Sequence, residues 1–120
     1  MREEVLTSIL SELNGTSADV EASAILSTDG LIISSLLPSN VDEDHVAAMS
    51  AAMLSLGIRT SEELVRGELE QVLVKGSQGY VILTSAGPDA VLSVLAKSNA
   101  RLGLIFLDIK RASEAIKPLL

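Results

Sequence analysis

The 120-residue chain has no cysteine and no tryptophan, and only one tyrosine, one phenylalanine and one histidine. Without cysteine there is no disulfide framework, no thiolate-held zinc or iron–sulfur cluster and no thiol nucleophile. Tyr80 and Phe106 are the only aromatics, too few for the stacking platforms that hold single-stranded nucleic acid. Basic residues are scarce as well: nine Lys and Arg against sixteen Asp and Glu give a formal charge of −7. So acidic a surface repels phosphate backbones and argues against nucleic acid as a partner. No uninterrupted apolar run exceeds four residues, whereas a bilayer span takes about 20. The start, Met1-Arg2-Glu3-Glu4, shows no basic stretch followed by an apolar run, so no signal peptide is read there. Together these absences lead to the expectation of a cytoplasmic protein without direct membrane insertion.

What is present is apolar. Residues of the apolar set make up 48% of the chain, far too many for a disordered polymer. The length fits one domain over residues 1–120, with a core that needs neither metal nor disulfide. No repeat, low-complexity segment or long linker divides it.

Val5, Leu6, Ile9, Leu10 and Leu13 recur at helical spacing and predict a helix over residues 2–14, stopped at Asn14-Gly15. Ala22–Ser27 and Leu31–Leu37 flank Thr28-Asp29-Gly30, the pattern of a hairpin whose turn needs positive φ. Asp42 is the expected cap of a long middle helix. Its residues Val46, Met49, Met53, Leu56, Thr60 and Leu64 are read as one buried stripe, while Ala47, Ala48, Ser50, Ala51, Ala52 and Ser55 leave the rest of its first half small and nearly uncharged. Leu69–Lys75, Gly79–Ser85 and Asp89–Ala96 read as three more strands. The last two are apolar on both alternating sets and so require cover on both faces of their sheet. A final helix is expected from Asn99, as its cap, to Lys117, with Lys110, Arg111 and Lys117 suiting its C-terminal dipole. The fold class is α+β: a five-stranded antiparallel sheet with helices on both faces, in the order α-β-β-α-β-β-β-α.

Four segments in this order carry a resemblance. They are Ala24-Ile25-Leu26-Ser27-Thr28-Asp29-Gly30-Leu31, Ala47-Ala48-Met49-Ser50-Ala51-Ala52-Met53, Gly67-Glu68-Leu69-Glu70-Gln71-Val72-Leu73-Val74-Lys75-Gly76 and Gly79-Tyr80-Val81-Ile82-Leu83-Thr84. With them the chain resembles the Roadblock/LC7 family, which includes dynein-associated light chains and prokaryotic regulators of Ras-like GTPases. The resemblance implies a profilin-like fold and a homodimer. In that dimer the third strands pair edge to edge and the two middle helices lie side by side. It places the dimer interface at Ala47, Ser50, Ala51, Ser55, Leu69, Gln71, Val72, Leu73 and Val74. The residues lend this independent support: Leu69–Val74 has no proline and few charges, so as an edge it is poorly blunted against pairing. Small residues four apart on the helix also permit close approach.

The sequence nominates no catalytic residue, no cofactor and no metal site. His45, between Asp44 and Val46, reads as an exposed first-turn residue, and the serines are too many for any one to signal a triad. Gly76-Ser77-Gln78-Gly79 joins two strands and lacks the spacing of a phosphate loop. Gly57 lies within the middle helix, where it admits close packing. The leading expectation is a non-enzymatic homodimeric platform that binds a small Ras-like GTPase and modulates its nucleotide cycle, at most as an activating partner. Ala48, Ala52, Arg59, Glu62, Glu63 and Arg66 are its partner-binding surface, with Arg59 and Arg66 retained as potential trans-acting arginines. Two alternatives stand beside it: a small-molecule sensor, because similar sheets also bind ligands, and an adaptor light chain in a larger motor or signalling complex.

Overall fold

The computed structural model describes residues 2–120. Helix α1 spans Arg2–Thr16, followed by strands β1 (Val20–Ser27) and β2 (Ile32–Leu36), and helix α2 (Glu43–Glu63). Strands β3 (Gln71–Gly76), β4 (Gly79–Ser85) and β5 (Ala90–Lys97) come next, then helix α3 (Leu102–Ile116) and a short 3-10 turn, Lys117–Leu119. The five strands form one antiparallel sheet, as the sequence predicts, and the structure sets their order as β2-β1-β5-β4-β3.

Alternation along the strands divides the sheet into two unequal faces. Ile25, Tyr80, Ile82, Leu92 and Val94 point to one face and meet Leu6, Leu10 and Leu13 of α1 and Ile105, Ile109 and Ile116 of α3. This is the main core. On the opposite face Ala24 and Leu26 meet Ala47 of α2, a thinner layer built of smaller side chains.

The first hairpin forms as its Asp-Gly signal requires. Ser27 N donates to Leu31 O at 2.8 Å, and Gly30 sits at φ +92°, open to glycine without a side-chain penalty. In the register of β1 with β2, Ile25 faces Ser34 and Leu26 faces Ile32, leaving Ile33 unopposed in a bulge. Side chains secure β2 from outside the ladder: Asn14 Nδ2 donates to Leu36 O at 3.2 Å, and Ser35 Oγ donates to Glu43 Oε2 at 2.9 Å.

Four expectations need correction. Helix α1 does not stop at Asn14-Gly15 but continues to Thr16, whose Oγ1 donates to Glu12 O at 2.7 Å. Asn14 is employed elsewhere, accepting from Ser23 Oγ at 2.7 Å. Strand β3 begins at Gln71, because Leu69 turns under α2 instead of entering the ladder.

Helix α3 begins at Leu102, and Asn99 does not cap it. At this end Asp19 Oδ2 accepts from Arg101 N at 2.9 Å and from Arg101 Nε at 3.1 Å. These bonds, the backbone one foremost, hold the Asp19 carboxyl below the ordinary aspartate value of 3.8. None of the basic residues falls in the last turn of α3. Its buried line is Ile105, Ile109, Ala112, Ser113 and Ile116, so Leu104 and Leu107, counted with the apolar positions, lie exposed.

The fourth correction concerns α2. The stripe read as buried is not the face that meets the sheet. Ala47 and Ser50 are buried there, whereas Met49 is 61% exposed and Leu56 65%, with Thr60 and Leu64 also exposed. The reason is distance. A Cβ added to Gly57 would fall 2.7 Å from Val72 Cγ2 and 3.1 Å from Leu69 Cδ2, so the helix rests close on the strands there. Apart from Leu54, which packs near Leu69, Val72 and Leu83, the side chains beneath it are small, and Met49 and Leu56 are displaced to its flank.

Candidate interaction surface

Helix α2 presents three distinct surfaces, each set by the 3.6-residue turn. The inward one is polar as well as small: Ser50 Oγ donates to Ser93 Oγ of β5 at 3.1 Å in the buried layer. Asp42 caps the helix as expected, its Oδ1 accepting from Asp44 N at 2.9 Å. His45 is exposed, its Nδ1 4.0 Å from Asp42 Oδ2.

The second surface is the flank carrying Met49, Met53 and Leu56. With Val46 above and Val81 and Leu95 of the sheet below, it borders an apolar groove of about 220 Å³. Val74 pairs with Val81 across β3 and β4, so it lies on the same side of the sheet. Among the described residues strand β3 has β4 as its only ladder partner, and it is mostly exposed. Val72 and Val74 face the α2 side, while Leu73 and Gln71 face the other, where Gln71 Nε2 donates to Thr84 Oγ1 at 3.4 Å. The flank and the open edge thus form one continuous apolar border.

The third surface faces solvent. Ala48, Ala52, Ser55, Arg59 and Glu62/Glu63 follow one another at helical spacing and are all exposed. Both arginines are engaged by their own chain: Arg59 Nη2 lies 3.7 Å from Glu63 Oε1, and Arg66 Nε donates to Leu64 O at 3.1 Å. Beyond the helix, Val65 adopts φ +56° and is 80% exposed.

Of the residues assigned to a dimer interface, the structure brings Gln71, Val72, Leu73 and Val74 together on the open edge. It sends Ala47 and Ser50 under the helix, and Ala51 sits over the hairpin, its Cβ 3.1 Å from where one on Gly30 would lie. Leu69 is half-buried beneath Gly57, and Ser55 is on the solvent side. Sequence reasoning missed Met49 and Leu56 as exposed residues, with Met53 half-buried between them. The signal was there: Ala47, Ser50, Leu54, Gly57 and Ser61 form an alternative helical line of mostly small residues, suited to a helix lying tight on a sheet.

The Roadblock/LC7 domain model matches residues 6–96, which takes in the sheet from β1 through most of β5 together with α2. The chain belongs to the Roadblock/LC7 family. An uncharacterized protein of Methanocaldococcus jannaschii is 39% identical over 117 residues, covering 98% of each chain. The Roadblock/LC7 domain from Streptomyces avermitilis superposes with a TM-score of 0.88 at 24% identity, over 93% of this chain and 94% of that one. Myxococcus xanthus MglB does so at 0.87 with 22% identity, over 96% and 94%. The Roadblock/LC7 fold is therefore the fold of this chain. Among the described residues no helix is long and apolar enough to cross a membrane.

Proposed function

We propose that this Roadblock/LC7 chain is a homodimeric regulatory platform for a small Ras-like GTPase, acting in the cytoplasm. The observation that carries the proposal is the continuous apolar border formed by the β3 edge and the Met49–Leu56 flank. An unblunted edge beside exposed methionine and leucine is stabilised by a second copy that continues the sheet and lays its own α2 alongside. Family membership supports the second half of the reading, because the family includes regulators of Ras-like GTPases.

In such a pair the solvent faces of the two α2 helices, with Ala48, Ala52 and Ser55 at their centre, form one sparsely charged platform. Surfaces with few charges at their centre and a polar rim suit protein partners. Arg59, Glu62, Glu63 and Arg66 supply that rim. Arg59 and Arg66 rest on Glu63 and the Leu64 carbonyl of their own chain, and the reading has the platform act by positioning the GTPase's own catalytic groups.

Titration of the intact dimer with a Ras-like GTPase loaded with GDP or with a non-hydrolysable GTP analogue tests this. The expected result is binding that favours one nucleotide state and is lost in Ala52→Glu. Absence of binding in both states, with the dimer intact, overturns the GTPase reading.

A further inference from the structure

A trough of about 890 Å³, open to solvent, lies beside the second half of α2, apart from the groove along Met49 and Met53 on the first half. Helix α2 lines it with Leu54 and Ile58, the α2–β3 connection with Leu69, and the β4–β5 turn and the start of β5 with Pro88 and Val91. Gly67 and Glu68 of the connection border it as well. Among the described residues the amides of Gly67, Glu68 and Leu69 donate no hydrogen bond, and the Glu68 and Leu69 carbonyls accept none. Val65, also at the trough, is 80% exposed and held at φ +56°. A β-branched residue is strained there, and its side chain gains little packing within the chain to offset the strain. The charge around the trough is one-sided. Among its lining residues and their chain neighbours, the carboxylates Asp29, Glu62, Glu68, Glu70 and Asp89 stand against two cations, Lys117 and Arg66. Arg59 and Glu63, likewise adjacent, pair with each other. Among the described residues none of the five carboxylates has an ion-pair partner, and Arg66 Nε donates to Leu64 O.

We propose that this trough binds a short extended segment of a partner protein, with aliphatic side chains turned inward and lysine or arginine beside them. The aliphatic lining takes the apolar side chains. The free amides and carbonyls of the Gly67–Leu69 connection supply main-chain hydrogen bonds, the usual means of holding an extended peptide. The excess of unpaired carboxylates selects a basic segment over an acidic one. Val65 covers the occupant, which accounts for a strained apolar side chain left in solvent. A small ligand is held by a pocket that buries most of its surface, and a trough open to solvent does not do so. The site is independent of the GTPase reading. Of its lining residues only Glu62 belongs to the α2 platform, and the test below leaves Glu62 in place.

Panning a display library of short random peptides on the full chain tests it, the enriched peptide then being titrated by fluorescence anisotropy. The expected consensus joins aliphatic residues to lysine or arginine, with an affinity that falls as salt rises. Val65→Gly weakens that peptide about tenfold, the loss of one buried aliphatic side chain, although the variant folds without the strain. Glu68→Lys/Glu70→Lys weakens it by about tenfold or more, and Lys117→Glu tightens it. These results stand whether or not a Ras-like GTPase binds α2, so failure of one reading is not mistaken for failure of the other. No enriched sequence, an acidic or purely apolar consensus, or a peptide bound equally by Val65→Gly and the charge reversal overturns the proposal. So does a change in the sedimenting mass of the free protein in either variant, which would assign the trough to a second copy of the chain.

Discussion

Gly57 of α2 lies directly over Val72 of β3, with 2.7 Å between Val72 Cγ2 and the position a Cβ would take. Gly57→Ala therefore forces the helix away from the strand or Val72 out of its rotamer, at a cost of about 1–3 kcal/mol. Gly103, near the start of α3, has no atom within 4 Å of such a Cβ, so Gly103→Ala gains helix propensity, up to about 1 kcal/mol. Urea unfolding of both variants measures the contrast. Equal effects in the two would remove the close-contact explanation.

Val65 follows the α2 C-cap in a left-handed conformation that a β-branched residue adopts only under strain. Its side chain is exposed, so replacing it removes little packing. Val65→Gly is expected to stabilise the chain by about 1 kcal/mol and to raise Tm. Differential scanning calorimetry reads the change, and a lower Tm contradicts it.

Asp19 joins the α1–β1 connection to the start of α3 through its two bonds from Arg101. Because its folded pKa lies below the ordinary 3.8, its contribution to stability is complete above that value. It is lost as the pH falls through the folded value. Asp19→Asn is expected to lower stability at pH 7 and to flatten the pH dependence below about pH 4. Acid titration followed by circular dichroism checks this, and parallel curves for the two proteins would refute it.

Edge pairing and folding are separable by choice of residue. Met49→Asp and Val74→Asp alter exposed positions on the proposed border, and each is expected to yield folded monomers at micromolar concentration in physiological salt. Val72→Asp and Ala51→Glu act differently. Val72 is wedged under Gly57 and Ala51 over Gly30, so both variants lose stability before they report on association. Sedimentation and thermal unfolding, read together, resolve the two classes. Dimers that persist in both Met49→Asp and Val74→Asp would dismiss this border as the interface.

The five strands and their succession along the chain were legible because alternation and the turn residues Asp29-Gly30 and Gly76-Ser77-Gln78-Gly79 are local signals. The orientation of α2 was not. Hydropathy ranks Met49, Met53 and Leu56 above Ala47 and Ser50, but burial there is decided by the gap between helix and strands, a property of the assembled layers. The start of α3 was hidden for a related reason. The amide of Arg101, which opens it, is bonded by Asp19, from a distant part of the chain, and no window around Asn99 contains that residue. The candidate partner surface, by contrast, was readable as a line, since Ala48, Ala52, Arg59, Glu62 and Glu63 share one side of a regular helix whatever lies beneath it.

The bulge at Ile33 has a bearing on how many copies can join. A chain that offers one bare strand for pairing has, at the far side of its sheet, a second strand that is equally a template. β2 is kinked there by the unopposed residue and held by side chains reaching across from Asn14 and Glu43. A straight β2 would let edge pairing repeat without end, in the manner of a growing fibril. The single surplus residue acts as a terminator, so that the proposed pairing through β3 would count to two and stop.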